Sequence, residues 1–93
     1  MNRKIDCDLQ CEILKALGHP IRLKIVVGLL NSKEHCNVNE MALKLNIPQS
    51  TTSQHLGILR NRGIIAPKKT GVETCYEVIN PKVREIIEIL KDE

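Results

Sequence analysis

At Gly63 the apolar residues of this chain stop recurring every three or four positions and begin to alternate. The period of an apolar pattern decides which face each side chain occupies, so a change of period is a change of element. Before Gly63, Leu9, Ile13, Leu14 and Leu17, and then Ile21, Ile25 and Leu29, keep helical spacing. After it, "IIAPKK" and "VETCYEVI" are β-prone runs separated by Thr70-Gly71, which reads as a hairpin. Helical spacing returns with Val83, Ile86, Ile87 and Leu90. A chain of 93 residues has room for one small core. The expected fold is therefore a single α+β domain over residues 1–93, mostly helical, with four helices, a hairpin and a last helix.

Local signals place the boundaries. Asp6 or Asp8 can cap the first helix, and Gly18 ends it. Pro20 suits the first turn of the second, where Leu23, Val26, Val27 and Leu30 widen the Ile21 stripe until most of the girth is apolar. That helix is expected at the centre. Asn37 and Glu40 form an Asn-x-x-Glu variant of the capping box ahead of a short third helix carrying Met41, Ala42 and Leu45. "LNIPQ" is a turn, Pro48 or Gln49 opens the fourth helix, and Gly63 closes it. Pro67 implies an edge or irregular position in the first strand. In the second, Val72, Thr74, Tyr76 and Val78 share one face, and Glu73, Cys75, Glu77 and Ile79 the other. Asn80-Pro81 caps the last helix.

Tyr76 is the only aromatic residue, so Ile, Leu and Val must build a thin core, and an oligomer that buries more surface is expected. No segment approaches the roughly 18 apolar residues of a membrane span, and "MNRKIDCDLQ" has no signal-peptide core. These features imply a cytoplasmic protein without a membrane partner. Cysteines at 7, 11, 36 and 75, unevenly spaced, do not form a disulfide scaffold in that compartment, and reduced thiols are expected, with metal or redox chemistry as the lesser reading.

The fourth helix starts with seven uncharged polar residues, Gln49, Ser50, Thr51, Thr52, Ser53, Gln54 and His55. Ser and Thr are mediocre helix formers, so the run calls for a reason beyond propensity. It lies in a stretch from Met41 to Val72 that holds Lys44, Arg60, Arg62, Lys68 and Lys69 but no Asp or Glu. Acidic side chains would repel phosphates, so their absence here favours an anionic partner. Two short helices joined by a tight turn and followed by a hairpin make a winged helix-turn-helix. In a DNA major groove, Gln pairs with adenine, Ser and Thr donate or accept, and a Thr methyl can meet a thymine methyl. We therefore expect double-stranded DNA to be contacted by Gln49 through His55, Arg60 and Arg62, with Lys68, Lys69 and Thr70 of the hairpin reaching the flanking backbone or minor groove.

The segments "ALGHPIRLKIVVGLL", "VNEMALKLNIPQSTTSQHLGILRNRGII" and "KKTGVETCYEV" resemble the ArsR/SmtB family of bacterial winged-helix repressors over nearly the whole chain. The resemblance implies a dimeric repressor that reads an inverted-repeat operator and is released by an effector, usually a metal ion. It also implies a homodimer built by the first and last helices, in line with the stripes of Leu9, Ile13, Val83, Ile86, Ile87 and Leu90. On that reading a charge at Ile87 separates the subunits.

The family's metal ligands do not carry over. Asn37, Val38 and Asn39 stand where founding metal sensors have Cys-Val-Cys, and Asn80 and Lys82 stand where a second site has Asp and His. Neither Asn nor Lys replaces an anionic carboxylate or an imidazole around zinc, so no metal and no cofactor are expected. Family members that sense persulfides pair a cysteine of the second helix with one of the last, where this chain has Val26-Val27 and no cysteine after Cys75. Cys7 and Cys11 share a helix face, and with Cys36 they could form a soft-metal or redox site; the alternative is that all three are structural. Cys75 is expected to pack or to face solvent. Ser53 and His55 lie two apart and point to different helix faces, and no phosphate loop or carboxylate pair occurs, so an enzyme is not expected. Two rivals remain: a thiol-based sensor-repressor, and a winged-helix module that binds protein rather than DNA.

Overall fold

The computed structural model describes residues 4–91, and of Thr70 the backbone alone. Its order is α1 (Cys7–Leu17), α2 (Pro20–Asn31), α3 (Val38–Leu45), α4 (Gln49–Asn61), β1 (Ile65–Thr70), β2 (Glu73–Val78) and α5 (Pro81–Leu90). Four helices begin behind a side chain that accepts their first amides. The Leu9 N–H donates to Asp6, not Asp8, at 3.1 Å, and the Ile21 N–H donates to Nδ1 of His19 at 3.1 Å. The Glu40 N–H donates to Asn37 at 2.8 Å, and the Lys82 N–H to Asn80 at 2.9 Å. Of the three asparagines at positions where the resemblance led one to look for metal ligands, Asn37 and Asn80 are thus helix caps.

The ends of α3 and α4 repeat one device. Asn46 (φ 58°) and Gly63 (φ 71°) take the left-handed conformation just past each helix. The Ile47 N–H then donates to the Ala42 carbonyl at 3.1 Å, and the Ile64 N–H to the Leu59 carbonyl at 3.0 Å. Both are Schellman closures. The second brings two fully buried side chains, Leu59 and Ile64, together as the chain turns into the hairpin.

The hairpin is antiparallel, with Ile65 opposite Val78 and Thr70 opposite Glu73. The turn is therefore Gly71-Val72, one residue later than the sequence suggested, and the positive φ of Gly71 (65°) suits a two-residue loop of the II′ kind. Pro67 lies opposite Tyr76, whose N–H points away from β1 and donates to the Cys36 carbonyl at 2.9 Å. At such a pair neither strand needs the other's N–H, which is why a proline is accommodated there.

The core joins Ile13, Ala16 and Leu17 of α1, Ile25 and Val26 of α2, Met41 of α3, Leu56 and Leu59 of α4, and Ile64, Ile65, Val83 and Ile87. The central place expected for α2 is observed. Three residues expected at a dimer face, Ile13, Val83 and Ile87, lie instead in the protomer's own core and have almost no surface exposed. Leu9 and Leu90 remain exposed, as do Ile5, Leu14 and Ile89, and Ile86 is half-buried. Ile5, Leu14 and Ile86 line one cleft between α1 and α5. Among the described residues no helix is long and apolar enough to cross a membrane.

Candidate nucleic-acid interface

α4 starts behind Pro48, which has no side-chain acceptor to offer, and no side chain caps it. Its first backbone bond is the Thr52 N–H to the Pro48 carbonyl at 3.0 Å, so the leading amides stay open, with the positive end of the helix dipole behind them. Gln49, Ser50, Ser53 and Gln54 are exposed and cover one arc of the helix; Leu56 and Leu59 lie on the adjoining, buried arc. Gln49 is braced from α3, because its Nε2 donates to the Asn39 side-chain oxygen at 2.7 Å. That bond uses one of three or four hydrogen-bonding positions on the amide and leaves the others for a partner. Nothing in the sequence flagged Asn39 for this bracing role, since it acts only through the geometry of the helix pair.

Three expected contact residues are placed otherwise. Thr52 is fully buried (0% exposed), and its hydroxyl donates to the Pro48 carbonyl at 3.0 Å. It belongs to the core arc of α4, so part of the polar run serves packing rather than recognition. Arg62 pairs with Glu12 of α1 at 3.0 Å, and Glu12 also meets Lys15 at 3.3 Å. Those pairs are partly exposed and worth little to stability, but they direct Arg62 toward α1. His55 is half-buried, its ring 4.6 Å from that of His19 and its Nδ1 3.4 Å from the Arg22 guanidinium. Thr51 is half-buried, Arg60 is exposed, and the Thr70 side chain lies outside the described residues. Lys68 and Lys69 are exposed and adjacent on β1, so they point to opposite faces of the ribbon.

Arg22 ties this corner together. Its Nε donates to the Ala16 carbonyl at 2.7 Å, closing the end of α1. A guanidinium has no acceptor, so its contact with His55 requires an unprotonated Nδ1. Burial first, and then the nearby His19 and Arg22, hold the His55 pKa below its ordinary 6.5. Because the folded pKa is depressed, the unfolded chain binds the extra proton more readily. The contribution of His55 to stability is present above that ordinary value and is lost as pH falls through the folded pKa. Thermal melts of the wild type should show Tm falling with acidification across that window. His55→Gln should flatten this dependence; an unchanged pH profile would remove His55 as its source.

The cysteines depart most from expectation. Cys36 is bonded to Cys75, with Cα atoms 4.7 Å apart and a sequence separation of 39, while Cys7 and Cys11 are free and exposed. A site built from Cys7, Cys11 and Cys36 is therefore not what the fold assembles, and Cys75 is neither simply packed nor solvated. The physical reason is the hydrogen bond from Tyr76 to Cys36, which lays the end of the α2–α3 loop along the outer edge of β2. Nothing local in the sequence carries that pairing. Among the described residues, no three of His, Cys, Asp and Glu gather in a way that could hold a metal ion.

A family model described as "Bacterial regulatory protein, arsR family" matches residues 19–66. The transcriptional repressor PagR of Bacillus anthracis is 43% identical over 79 residues, 85% of this chain and 78% of that protein. The PagR crystal structure superposes with a TM-score of 0.75 at 40% identity, covering 90% of this chain and 94% of that one. HlyU from Vibrio cholerae superposes with a TM-score of 0.83 at 30% identity, covering 95% and 94%. The HTH-type transcriptional repressor SmtB of Mycobacterium tuberculosis is 35% identical over 80 residues, 86% of this chain and 58% of that protein.

Proposed function

The chain belongs to the ArsR family of bacterial regulatory proteins, and from that membership we propose that it binds an inverted-repeat operator as a homodimer. It is a DNA-binding transcriptional repressor of that family and not an enzyme. The observation that carries the finer reading is the exposed arc of Gln49, Ser50, Ser53 and Gln54 at an uncapped helix start, in a stretch free of acidic residues. These side chains suit base edges, and the open amides suit a phosphate. Thr51, His55 and Arg60 border the arc, and Lys68 and Lys69 supply charge from the hairpin. The exposed apolar residues of α1 and α5, Leu9, Leu14, Ile89 and Leu90, with half-buried Ile86, are the surface a second copy would cover.

Selection of genomic fragments by the purified protein tests this. The bound fragments should share two inverted half-sites whose centres lie about 34–36 Å apart, and sedimentation should give two protomers per duplex. A single half-site occupied by one protomer would refute the dimeric reading. On the selected duplex, Lys69→Ala should weaken specific and unrelated DNA alike and lower the salt slope by about one unit. An unchanged slope would remove the wing lysine from the phosphate contacts.

A further inference from the structure

The Cys36–Cys75 pair sits where the hairpin meets the loop that leads into α3. Cys36 directly precedes Asn37, which caps α3 and whose Nδ2 also donates to Glu73 of β2 at 3.2 Å. Asn39, two residues on, holds Gln49 of α4. Cys75 lies on β2, opposite Lys68 in the ladder. The bond therefore tethers the hairpin to the helix that braces the start of α4. It is one bridge in a chain whose other two cysteines are free, unlike the dense frameworks that hold small secreted domains together.

Both cysteines are half-buried and line a cleft of about 510 Å³. Three cations, Lys33, Lys68 and Arg84, share its wall with a single carboxylate, Glu77. That volume lies in the range of small-molecule sites, roughly 300–1,000 Å³. The charge balance suits an anion.

We propose that Cys36 and Cys75 are a reversible thiol–disulfide site served by an anionic low-molecular-weight disulfide, and that the oxidised state binds the operator more tightly. The chemistry is thiol–disulfide exchange. In the reduced protein, one cysteine thiolate attacks a sulfur of the small disulfide; that S–S bond breaks, one small thiolate leaves, and a mixed disulfide remains. The second cysteine, as its thiolate, attacks the protein-side sulfur and expels the second small thiolate. Two protein thiols are oxidised, one small disulfide becomes two thiols, and the two protons lost by the protein go to the leaving groups. The small thiol at high concentration runs the sequence backwards. Tethering pre-organises hairpin and α4 against each other, and pre-organisation lowers the cost of binding. The regulatory half of the proposal rests on the DNA-binding reading above.

The test equilibrates wild type, Cys36→Ser and Cys75→Ser in buffers of reduced and oxidised glutathione, then counts free thiols by mass and measures affinity for the selected duplex. Wild type should pass from four free thiols to two, retaining Cys7 and Cys11, and its affinity should rise by about 5- to 150-fold, the usual span of coupled sites. Neither serine variant should show that rise. Oxidised glutathione should act at least about tenfold faster than neutral hydroxyethyl disulfide, an advantage reduced in Arg84→Gln, as about 1.4 kcal/mol of charge complementarity would give. Failure of the Cys36–Cys75 bond to form at any buffer ratio overturns the site. Its formation with equal affinity in both states, or with tighter binding by the reduced protein, overturns the switch. Equal rates with the two small disulfides overturn the anionic specificity. If neither state binds any duplex, the DNA reading fails and the switch with it, while the thiol count still judges the site.

Discussion

Replacing Ile87 with glutamate is expected to unfold the protomer, whereas the same charge at Ile89 should leave it folded and separate the proposed dimer. The two residues share a helix, but Ile87 is 3% exposed and Ile89 81%. Truncating a buried isoleucine alone costs about 2–5 kcal/mol, and a carboxylate in that space adds a desolvation penalty. Small domains hold only about 5–15 kcal/mol of stability in total. Ile87→Glu should therefore abolish the cooperative thermal transition. Ile89→Glu should change the protomer's own stability by no more than about 0.5 kcal/mol. Sedimentation at tens of micromolar should find that variant monomeric and the wild type dimeric. A folded Ile87→Glu would mean that α5 docks less tightly than its burial indicates, and a wild-type monomer would end the dimer proposal.

The second large effect belongs to the start of α4. Gln49→Ala and Ser53→Ala should each cost about 1–3 kcal/mol on the preferred duplex and blur its sequence preference. Thr52→Val is the informative control, since Thr52 lies in the same run but faces the core. Losing its hydroxyl bond to Pro48 should cost about 1 kcal/mol of stability and leave base selectivity intact. If instead Gln49→Ala and Ser53→Ala keep affinity and selectivity while Thr52→Val loses them, α4 does not read DNA in the proposed way.

The contrast between Thr52 and its neighbours shows how far a one-dimensional pattern reaches. The polar run, the absence of acid around it and the change of period at Gly63 are properties of composition and spacing. The caps at Asn37 and Asn80 and the closure at Gly63 are likewise local, because each depends on a few consecutive residues and one backbone geometry. The family motif added the architecture. Which side of a helix faces inward is less local: with Leu56 and Leu59 buried, the arc at Thr52 turns to the core, and a threonine there packs as an aliphatic residue with one internal bond.

The amino-acid sequence by itself determined the element order, the helix boundaries and the polar character of the α4 start, since propensity, capping and periodicity act over a few residues. Tertiary packing decided the rest. It spent Ile13, Val83 and Ile87 on the protomer's core, directed Arg62 to Glu12, and set His55 against His19 and Arg22. It also bonded Cys36 to Cys75 across 39 residues through the outer edge of β2. Those outcomes depend on which surfaces meet after the helices have formed, and contacts between residues far apart in the chain leave no periodic trace in it.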